Sequence, residues 1–187
     1  MDLENENFRY KSDDGVVVVE IVVKNSRQLF NERDPAPFRE RDLDEQFVAY
    51  VVSSFQEFPL QTMMKIQIHI EEKDDLSTER NMIKEAIKNY FHYESKLARS
   101  RIRRRFRMAR LFSLIGFITL FTCLSLAQFI SSLDYNLVIT NIISTGLVII
   151  GWVAMWHPIE ALLYDWWPIR EQRRYFDKIA TTSIDVD

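Results

Sequence analysis

The 187-residue sequence is poor in the residue types on which most small catalytic or disulfide-stabilised domains depend, with one cysteine, three histidines and four glycines. A lone Cys123 cannot form a disulfide within the chain and is expected to pack as a small apolar residue. His69, His92 and His157 do not share the spacing of a zinc site. The glycines cannot form a phosphate-binding loop, and no G-x-S-x-G sequence occurs. These absences predict that the protein is not an enzyme and holds no cofactor or metal.

Charged residues and histidines are missing from two stretches, 111–130 and 137–156, which we call the apolar stretches. Each has 20 residues, the length that an α-helix needs to cross about 30 Å of hydrocarbon at about 1.5 Å per residue. Only residues 131–136 separate them. The two stretches therefore predict a transmembrane hairpin, and the protein is expected to be a membrane protein.

The charges of the chain are distributed unevenly, although the net charge is only −3. Residues 1–95 contain 20 acidic and 12 basic residues, whereas residues 96–110 contain eight basic and no acidic ones. The basic segment precedes the first apolar stretch, where the positive-inside rule and anionic lipid headgroups both act. Since Asp134 is the only charge between the apolar stretches, both termini are predicted to be cytoplasmic. The residues assigned to membrane orientation are Arg99, Arg101, Arg103, Arg104, Arg105, Arg107 and Arg110.

Two patterns predict β-strands in the N-terminal half of the sequence. The run at 16–23 is rich in valine and apolar over most of its length, and residues 62–70 alternate between apolar and polar. Between them, apolar spacing predicts a helix that runs to about Phe58 with Asp42 as its N-cap. Residues 1–14 are polar and acidic, which predicts a disordered arm and no signal peptide.

The C-terminal half is predicted to be mostly helical. A helix is expected to begin near Ser77 and to continue into the first apolar stretch, because no glycine or proline occurs before Gly116. Pro158 is predicted at the first position of an interfacial helix, and Pro168 restarts the chain as a further helix. Residues 183–186 alternate like a short strand, which would complete the sheet if it returns to it.

The predicted architecture is an α+β cytosolic domain, β-α-β with a C-terminal strand if that strand joins the sheet, fused to a two-helix transmembrane hairpin. Its segments are a disordered acidic arm at 1–14, the cytosolic domain at 15–95, a basic juxtamembrane helix at 96–110, the hairpin at 111–156, and an interfacial and cytosolic tail at 157–187.

Two groups of residues are assigned to the membrane. Aromatic residues typical of a membrane interface surround the end of the second apolar stretch: Trp152, Trp156, Tyr164, Trp166 and Trp167. Small and polar residues within the stretches are candidates for helix contacts, or else for lining a pore in an oligomer: Thr119, Cys123, Asn141, Ser144, Thr145 and Gly151. The stretches carry no charge, which argues against proton or ion coupling.

The loop before the first predicted helix is stiffened by two prolines and is a candidate site for a protein partner. Its candidate residues are Asp34, Pro35, Pro37, Phe38, Arg41 and Asp42. The same residues could instead pair with their own neighbours and cap the helix. Because the pattern shows no apolar pocket, the expected ligand is a protein or the returning C-terminal segment rather than a small molecule.

Two segments resemble a family of small bacterial inner-membrane proteins with two transmembrane helices. One is the DPxPF-x-x-RDLD loop at 34–44, and the other is the PIExxLYDWWPI tail at 158–169. The order of predicted elements is similar over nearly the whole chain from about Gly15. The resemblance implies a bacterial inner-membrane setting and no particular chemistry.

These observations favour an integral inner-membrane protein that acts by binding. Its cytosolic domain would bind a protein partner or self-associate, as a homo-oligomer or a subunit of a larger membrane complex. The other expected partner is a bilayer with anionic headgroups. Nucleic acid is not an expected partner, because the arginines wrap most of the helix rather than forming one stripe. A small-molecule substrate is not expected either. The alternative is an oligomeric, channel-like effector that its cytosolic domain gates.

Overall fold

The computed structural model of the chain describes residues 10–13, 15–31, 33–37, 41–72, 76–132 and 137–187. They form two compact units. The first unit contains the residues up to Leu97 together with Glu171–Asp187, and the second unit contains Ala98–Arg170. The first unit is therefore assembled from two separate parts of the sequence.

The first unit is built on a mixed four-stranded sheet in the order β1-β2-β3-β4. The strands are β1 (Lys11–Asp13), β2 (Val16–Val23), β3 (Met64–Ile70) and β4 (Ser183–Val186). β1 is antiparallel to β2, whereas β2, β3 and β4 are parallel to their neighbours. The predicted strands at 16–23 and 62–70 are confirmed, with β3 beginning two residues late. The C-terminal strand does join the sheet, beside β3.

β1 corrects the prediction that residues 1–14 form a disordered arm. Lys11–Asp13 pair with the first three residues of β2, and the chain reverses at Gly15, whose φ is 78°. Glycine adopts this conformation without the steric penalty that a Cβ would add. Lys11 Nζ also lies 2.8 Å from Glu20 Oε1, so the polar composition of the segment suits the exposed face of a sheet. Residues 1–9 and 14 of the predicted arm lie outside the described residues.

The helices are α1 (Glu45–Gln56), α2 (Leu76–Ser131), α3 (Leu137–Leu163) and α4 (Trp167–Thr181), with a short 3₁₀-helix at Ser26–Leu29. α2 begins one residue before the predicted Ser77 and continues for 56 residues without a break. The single helix predicted from the first unit through the basic segment is therefore confirmed.

The N-cap of α1 is Asp44 and not the predicted Asp42. The Asp44 carboxylate accepts hydrogen bonds from the backbone N–H groups of Gln46, at 2.9 Å, and Phe47, at 3.1 Å. Aspartate is a preferred N-cap residue, so residue type alone does not distinguish Asp42 from Asp44. Leu43 decides between them because it forms an isolated antiparallel bridge with Phe30. That pairing keeps the chain extended past Asp42 and delays the start of the helix.

One apolar core joins the sheet to the helices of the first unit. The alternation of β3 predicted from the sequence is confirmed, because its four apolar residues are buried on one face and its polar residues are half-buried on the other. Fully buried members of the core come from β2 and β3, from α1, from the first part of α2 and from α4: Val19, Ile66, Ile68, Val51, Phe55, Ile83, Ile87, Phe91 and Ile179. On β4, Ile184 and Val186 complete this face.

In the second unit, α2 and α3 approach closely at two glycines. A Cβ at Gly151 would lie 2.9 Å from Leu120 Cδ1 and 3.2 Å from Cys123 Cβ. A Cβ at Gly116 would lie 3.0 Å from Met155 Sδ. Later residues of one helix thus meet earlier residues of the other, so the two helices are antiparallel. Small residues at such crossings let two helix backbones come together.

α3 corrects the prediction that Pro158 begins a new helix. Pro158 lies inside α3, which continues to Leu163. Proline has no N–H to donate to the carbonyl of Ala154, and such a gap usually kinks or ends a helix. Here the Ala154 carbonyl oxygen faces Gly116, 3.2 Å from where a Cβ would stand. The helix therefore passes its proline where the neighbouring helix has no side chain. Pro168, by contrast, is the second residue of α4, as expected.

Candidate functional site

The second unit presents a large apolar surface. Two of its helices, α2 and α3, are long and apolar enough to cross a membrane, and only 17% of the most apolar 18 residues of each is buried. Phe121 is 73% exposed and Trp156 is 75% exposed. Soluble monomeric proteins seldom expose contiguous apolar patches of more than about 300–600 Å². The pattern is thus unlike that of a core helix, which would be mostly buried.

The arginines assigned to membrane orientation are all exposed along α2. The remaining face of this part of the helix is apolar, with Ala98 and Ala109 buried and Ile102 and Phe106 half-buried. Among the residues that the structure describes, no carboxylate pairs with any of the seven guanidinium groups. Within the described part of the chain, the positive charge of these arginines is therefore unpaired, directly before the first apolar stretch.

The five aromatic residues predicted at the interface separate into two groups. Trp152, Trp156, Tyr164 and Trp167 are exposed. Trp166 is half-buried: its Nε1 donates to the Leu162 carbonyl at 2.9 Å, and its ring centroid is 5.9 Å from that of Phe106. The Arg170 guanidinium lies 5.4 Å from the same ring. Trp166 therefore packs within the second unit, and the other four form its free aromatic surface.

Of the six small and polar residues predicted at helix contacts or a pore, Cys123 and Gly151 meet directly at the crossing of α2 and α3. The Thr119 hydroxyl donates a hydrogen bond to the Ile115 carbonyl of its own helix, at 2.9 Å. The Ser144 hydroxyl donates one to the Asn141 carbonyl of its own helix, at 3.2 Å. Asn141 and Thr145 are exposed on the outside of the second unit. The contact between α2 and α3 within one chain therefore does not bury the amide of Asn141.

The proline loop binds mainly to itself. The two carboxylate oxygens of Asp34 accept hydrogen bonds from backbone N–H groups, one from Asp42 at 2.7 Å and one from Ala36 at 2.9 Å. These two bonds, aided by the charge of Arg41, lower the pKa of Asp34 below its ordinary value. Pro35, Pro37 and Asp42 are exposed and Arg41 is half-buried, while Phe38 lies outside the described residues. The alternative in which Asp34 pairs with its own neighbours is the one that the geometry supports.

Beside this loop lies a groove of about 710 Å³ that the sequence did not reveal. Its apolar side chains include Ile21 and Val23 of β2 and Phe47 of α1. Charged side chains of both signs also line it: Arg27, Arg33, Asp44 and Glu45. The lining is therefore mixed, with apolar side chains beside polar and charged ones. The walls come from the end of β2, the loop and the first turns of α1, which are separated in sequence. The only signal in the sequence was the apolar face of α1.

Over β3 and β4, the sheet face opposite the core is polar, and its side chains hold the C-terminal strand. Lys65 Nζ lies 2.7 Å from Asp185 Oδ2, and this hydrogen bond lowers the pKa of Asp185 below its ordinary value. Gln67 Nε2 donates to Asp187 at 3.0 Å, and His69 Nδ1 lies 3.4 Å from the same carboxylate. Among the described residues, no cluster of histidine, cysteine and carboxylate side chains is arranged to hold a metal ion.

None of the protein-family models, curated proteins or solved structures with which the chain was compared matches it. The resemblance to bacterial inner-membrane proteins with two helices therefore stays a prediction.

Proposed function

We propose that the protein is an integral membrane protein of the bacterial inner membrane, in which α2 and α3 cross the bilayer and the first unit is a cytoplasmic binding module. The observation that carries the proposal is the division of the first unit into two parts of the sequence. β4, at 183–186, pairs with β3, at 64–70, and both apolar stretches lie between them. If these stretches enter a bilayer, the chain must return to the side it left. Two crossings satisfy this requirement.

The charges favour the cytoplasmic side for the first unit. Seven exposed arginines precede the first apolar stretch, and each basic residue near an anionic surface contributes about 1 kcal/mol of attraction. The exposed aromatic residues around the end of the second stretch suit the same headgroup level. Burial of the apolar surface in lipid, together with the retention of these arginines in the cytoplasm, accounts for both patterns.

The membrane proposal is tested by reporters of topology fused to each terminus of the full chain. Both reporters should be cytoplasmic, and the chain should stay in the membrane fraction at alkaline pH. Reversing the charge of Arg103, Arg104 and Arg105 to glutamate should disturb this orientation. Reversing three exposed cations of the first unit, Arg27, Arg33 and Lys88, is the matched control and should not. Termini on opposite sides, or release of the chain at alkaline pH, would contradict the proposal.

Binding by the first unit is supported by the groove, which combines apolar side chains with charged side chains of both signs. Few residues of the chain offer conventional catalytic chemistry, and a protein partner or a second copy suits such a surface better than a small substrate. A photo-crosslinking residue at Arg33, which lines the groove, should give defined adducts in cells. The control position is Tyr93, which is exposed on α2 of the same unit. Equal labelling at both positions would argue against a binding surface at the groove.

A second candidate function, an oligomeric channel, is favoured by the exposure of Asn141 and Thr145. An amide in hydrocarbon prefers a hydrogen-bonding partner, and further copies of the chain would provide one. Flux through liposomes that contain the full chain should then disappear in Asn141→Leu. It should persist in Ile142→Leu, which changes the neighbouring exposed residue. Absence of flux at every protein density would exclude this function and leave the binding module.

A further inference from the structure

Two side-chain amides lie exposed within the apolar stretches. Gln128 of α2 and Asn141 of α3 are both on the outside of the second unit. Within the part of the chain that the structure describes, neither amide has a hydrogen-bond partner. Lipid tails cannot supply one. If α2 and α3 cross a bilayer, as proposed above, both amides need a partner from another protein surface.

Each amide belongs to a continuous helix face. The α2 face is defined by four residues that line an open hollow of about 570 Å³: Phe121, Leu124, Ser125 and Gln128. The α3 face is defined by four residues with the same kind of spacing: Asn141, Thr145, Val148 and Trp152. Residues three or four positions apart lie on the same side of a helix, so each set forms one strip. Neither strip contains a charged residue.

The two faces turn to the same side of the hairpin. α2 contacts α3 along the line of Gly116, Leu120 and Cys123, and α3 contacts α2 along the line of Gly151 and Met155. With 3.6 residues per turn, each face lies about 90–130° from its contact line, in the direction in which the chain winds. Because the helices are antiparallel, these rotations have opposite senses when seen from one end. They start from lines that point at each other, so both faces end on one side.

The two faces also match in depth. Gly151 of α3 lies against Cys123 of α2. Gln128 follows Cys123 by five residues, and Thr145 precedes Gly151 by six. At 1.5 Å per residue, Gln128 and Thr145 therefore lie within about 3 Å of the same depth. Asn141 lies one helical turn further towards the same end of the hairpin.

We propose that the α2 face of one chain packs against the α3 face of a second copy, so that Gln128 hydrogen-bonds to Thr145 and Asn141 of the other chain. Copies inserted with one topology present both faces at one depth, and a two-fold axis along the membrane normal makes the contact twice. The product is a four-helix bundle in which neighbouring helices are antiparallel. The hollow of the α2 face then receives Val148 of the other chain. The proposal rests on the membrane insertion of α2 and α3.

Disulfide cross-linking in native membranes tests the contact while all four polar residues of the two faces are kept. Two differently tagged full-length chains are co-expressed, one with Leu124→Cys and one with Val148→Cys, both with Cys123→Ala. The matched control replaces Leu124→Cys by Leu126→Cys. Leu126 is 45% exposed and Leu124 is 41% exposed, but Leu126 lies on another side of α2. Oxidation should link the first pair of chains and leave the control pair largely unlinked.

Equal yields for the two pairs would indicate random collision and would overturn the proposal. Links that form only between two Leu124→Cys chains, or only between two Val148→Cys chains, would overturn it too, because they bring like helices together. Chains that remain in the membrane fraction at alkaline pH without linking would overturn the contact and leave the membrane proposal intact. Release of the chains at alkaline pH would overturn both.

The hydrogen bonds are tested separately from the proximity of the helices. Gln128→Leu and Asn141→Leu, each in a chain that is otherwise unchanged, should weaken the dimer roughly 3- to 20-fold, the worth of one hydrogen bond between membrane helices. The measurement is the dissociation of the full chain on dilution in detergent micelles. Ile142→Leu is the control and should leave dissociation unchanged. The same dissociation in both amide variants as in the unaltered chain would refute the proposal.

Discussion

Ending the chain after Thr182 would remove β4 while leaving every helix intact. The two apolar side chains of β4 are nearly fully buried, with 3% of Ile184 and 4% of Val186 exposed. Burying an aliphatic side chain of this size contributes about 1.5–3 kcal/mol, so the truncation removes about 3–6 kcal/mol before any hydrogen bond is counted. The whole stability of a small domain is about 5–15 kcal/mol. The first unit of the truncated chain is therefore expected to be unfolded or marginally stable.

Ile184→Ala is the milder form of this perturbation and should leave the fold intact. Substitutions of this kind cost about 2–5 kcal/mol in a core, and the lower end applies because β4 is an edge strand that can relax. A loss of about 2 kcal/mol corresponds to exchange of the protected β3 amides that is roughly 30-fold faster. The assay is residue-resolved hydrogen exchange on the full chain in lipid nanodiscs, with Ser183→Ala, an exposed position, as the control. Unchanged β3 protection in the truncated chain would refute the reasoning.

Two further perturbations test the packing and the charges. Gly151→Ala should destabilise the second unit because its Cβ would stand 2.9 Å from a Leu120 methyl carbon. Gly146→Ala is the control and should be tolerated, because a Cβ at Gly146 has no neighbour within 4 Å. Equal thermal stability of the two variants in detergent would contradict this packing. Because the pKa of Asp185 is lowered, chiefly by Lys65, its stabilising effect is fully present above its ordinary pKa of 3.8. The effect is lost as the pH falls below that value and through the lower pKa of the folded state. The stability difference between the wild-type chain and Asp185→Asn, measured by denaturant unfolding, should therefore close below about pH 4, and a difference that is constant with pH would argue against the pairing.

Most of the elements could be predicted because their signals are local. The alternation of apolar and polar residues in β3 has the period of a strand. The uncharged stretches of α2 and α3 are continuous apolar runs of the length of a membrane-spanning helix. The sequence predicted a short strand at 183–186 but left open whether that strand joins the sheet. The pairing of β4 with β3 joins parts of the chain that are more than a hundred residues apart.

The errors have a common physical origin in contacts that are distant in sequence. Asp42 and Asp44 are equivalent caps by composition, and the bridge between Phe30 and Leu43 is what selects Asp44. Pro158 has the composition of a helix start, yet α3 continues past it, and the proline ring lies beside Gly116 of α2. The groove could not be predicted from the sequence because β2 and α1, which are separate in the chain, form it together. Each of these outcomes depends on a neighbour that no local pattern identifies.

The late position of β4 in the chain has a consequence for biosynthesis. The 85 residues between Leu97 and Ser183 must be translated before the sheet can close, which takes about 4–17 s at common bacterial rates of elongation. During that interval the outer edge of β3 has no strand beside it, and unpaired strand edges are prone to aggregation. If the apolar helices cross a membrane as proposed, residues 183–186 can reach β3 only when both crossings are made. Completion of the sheet would then depend on correct insertion.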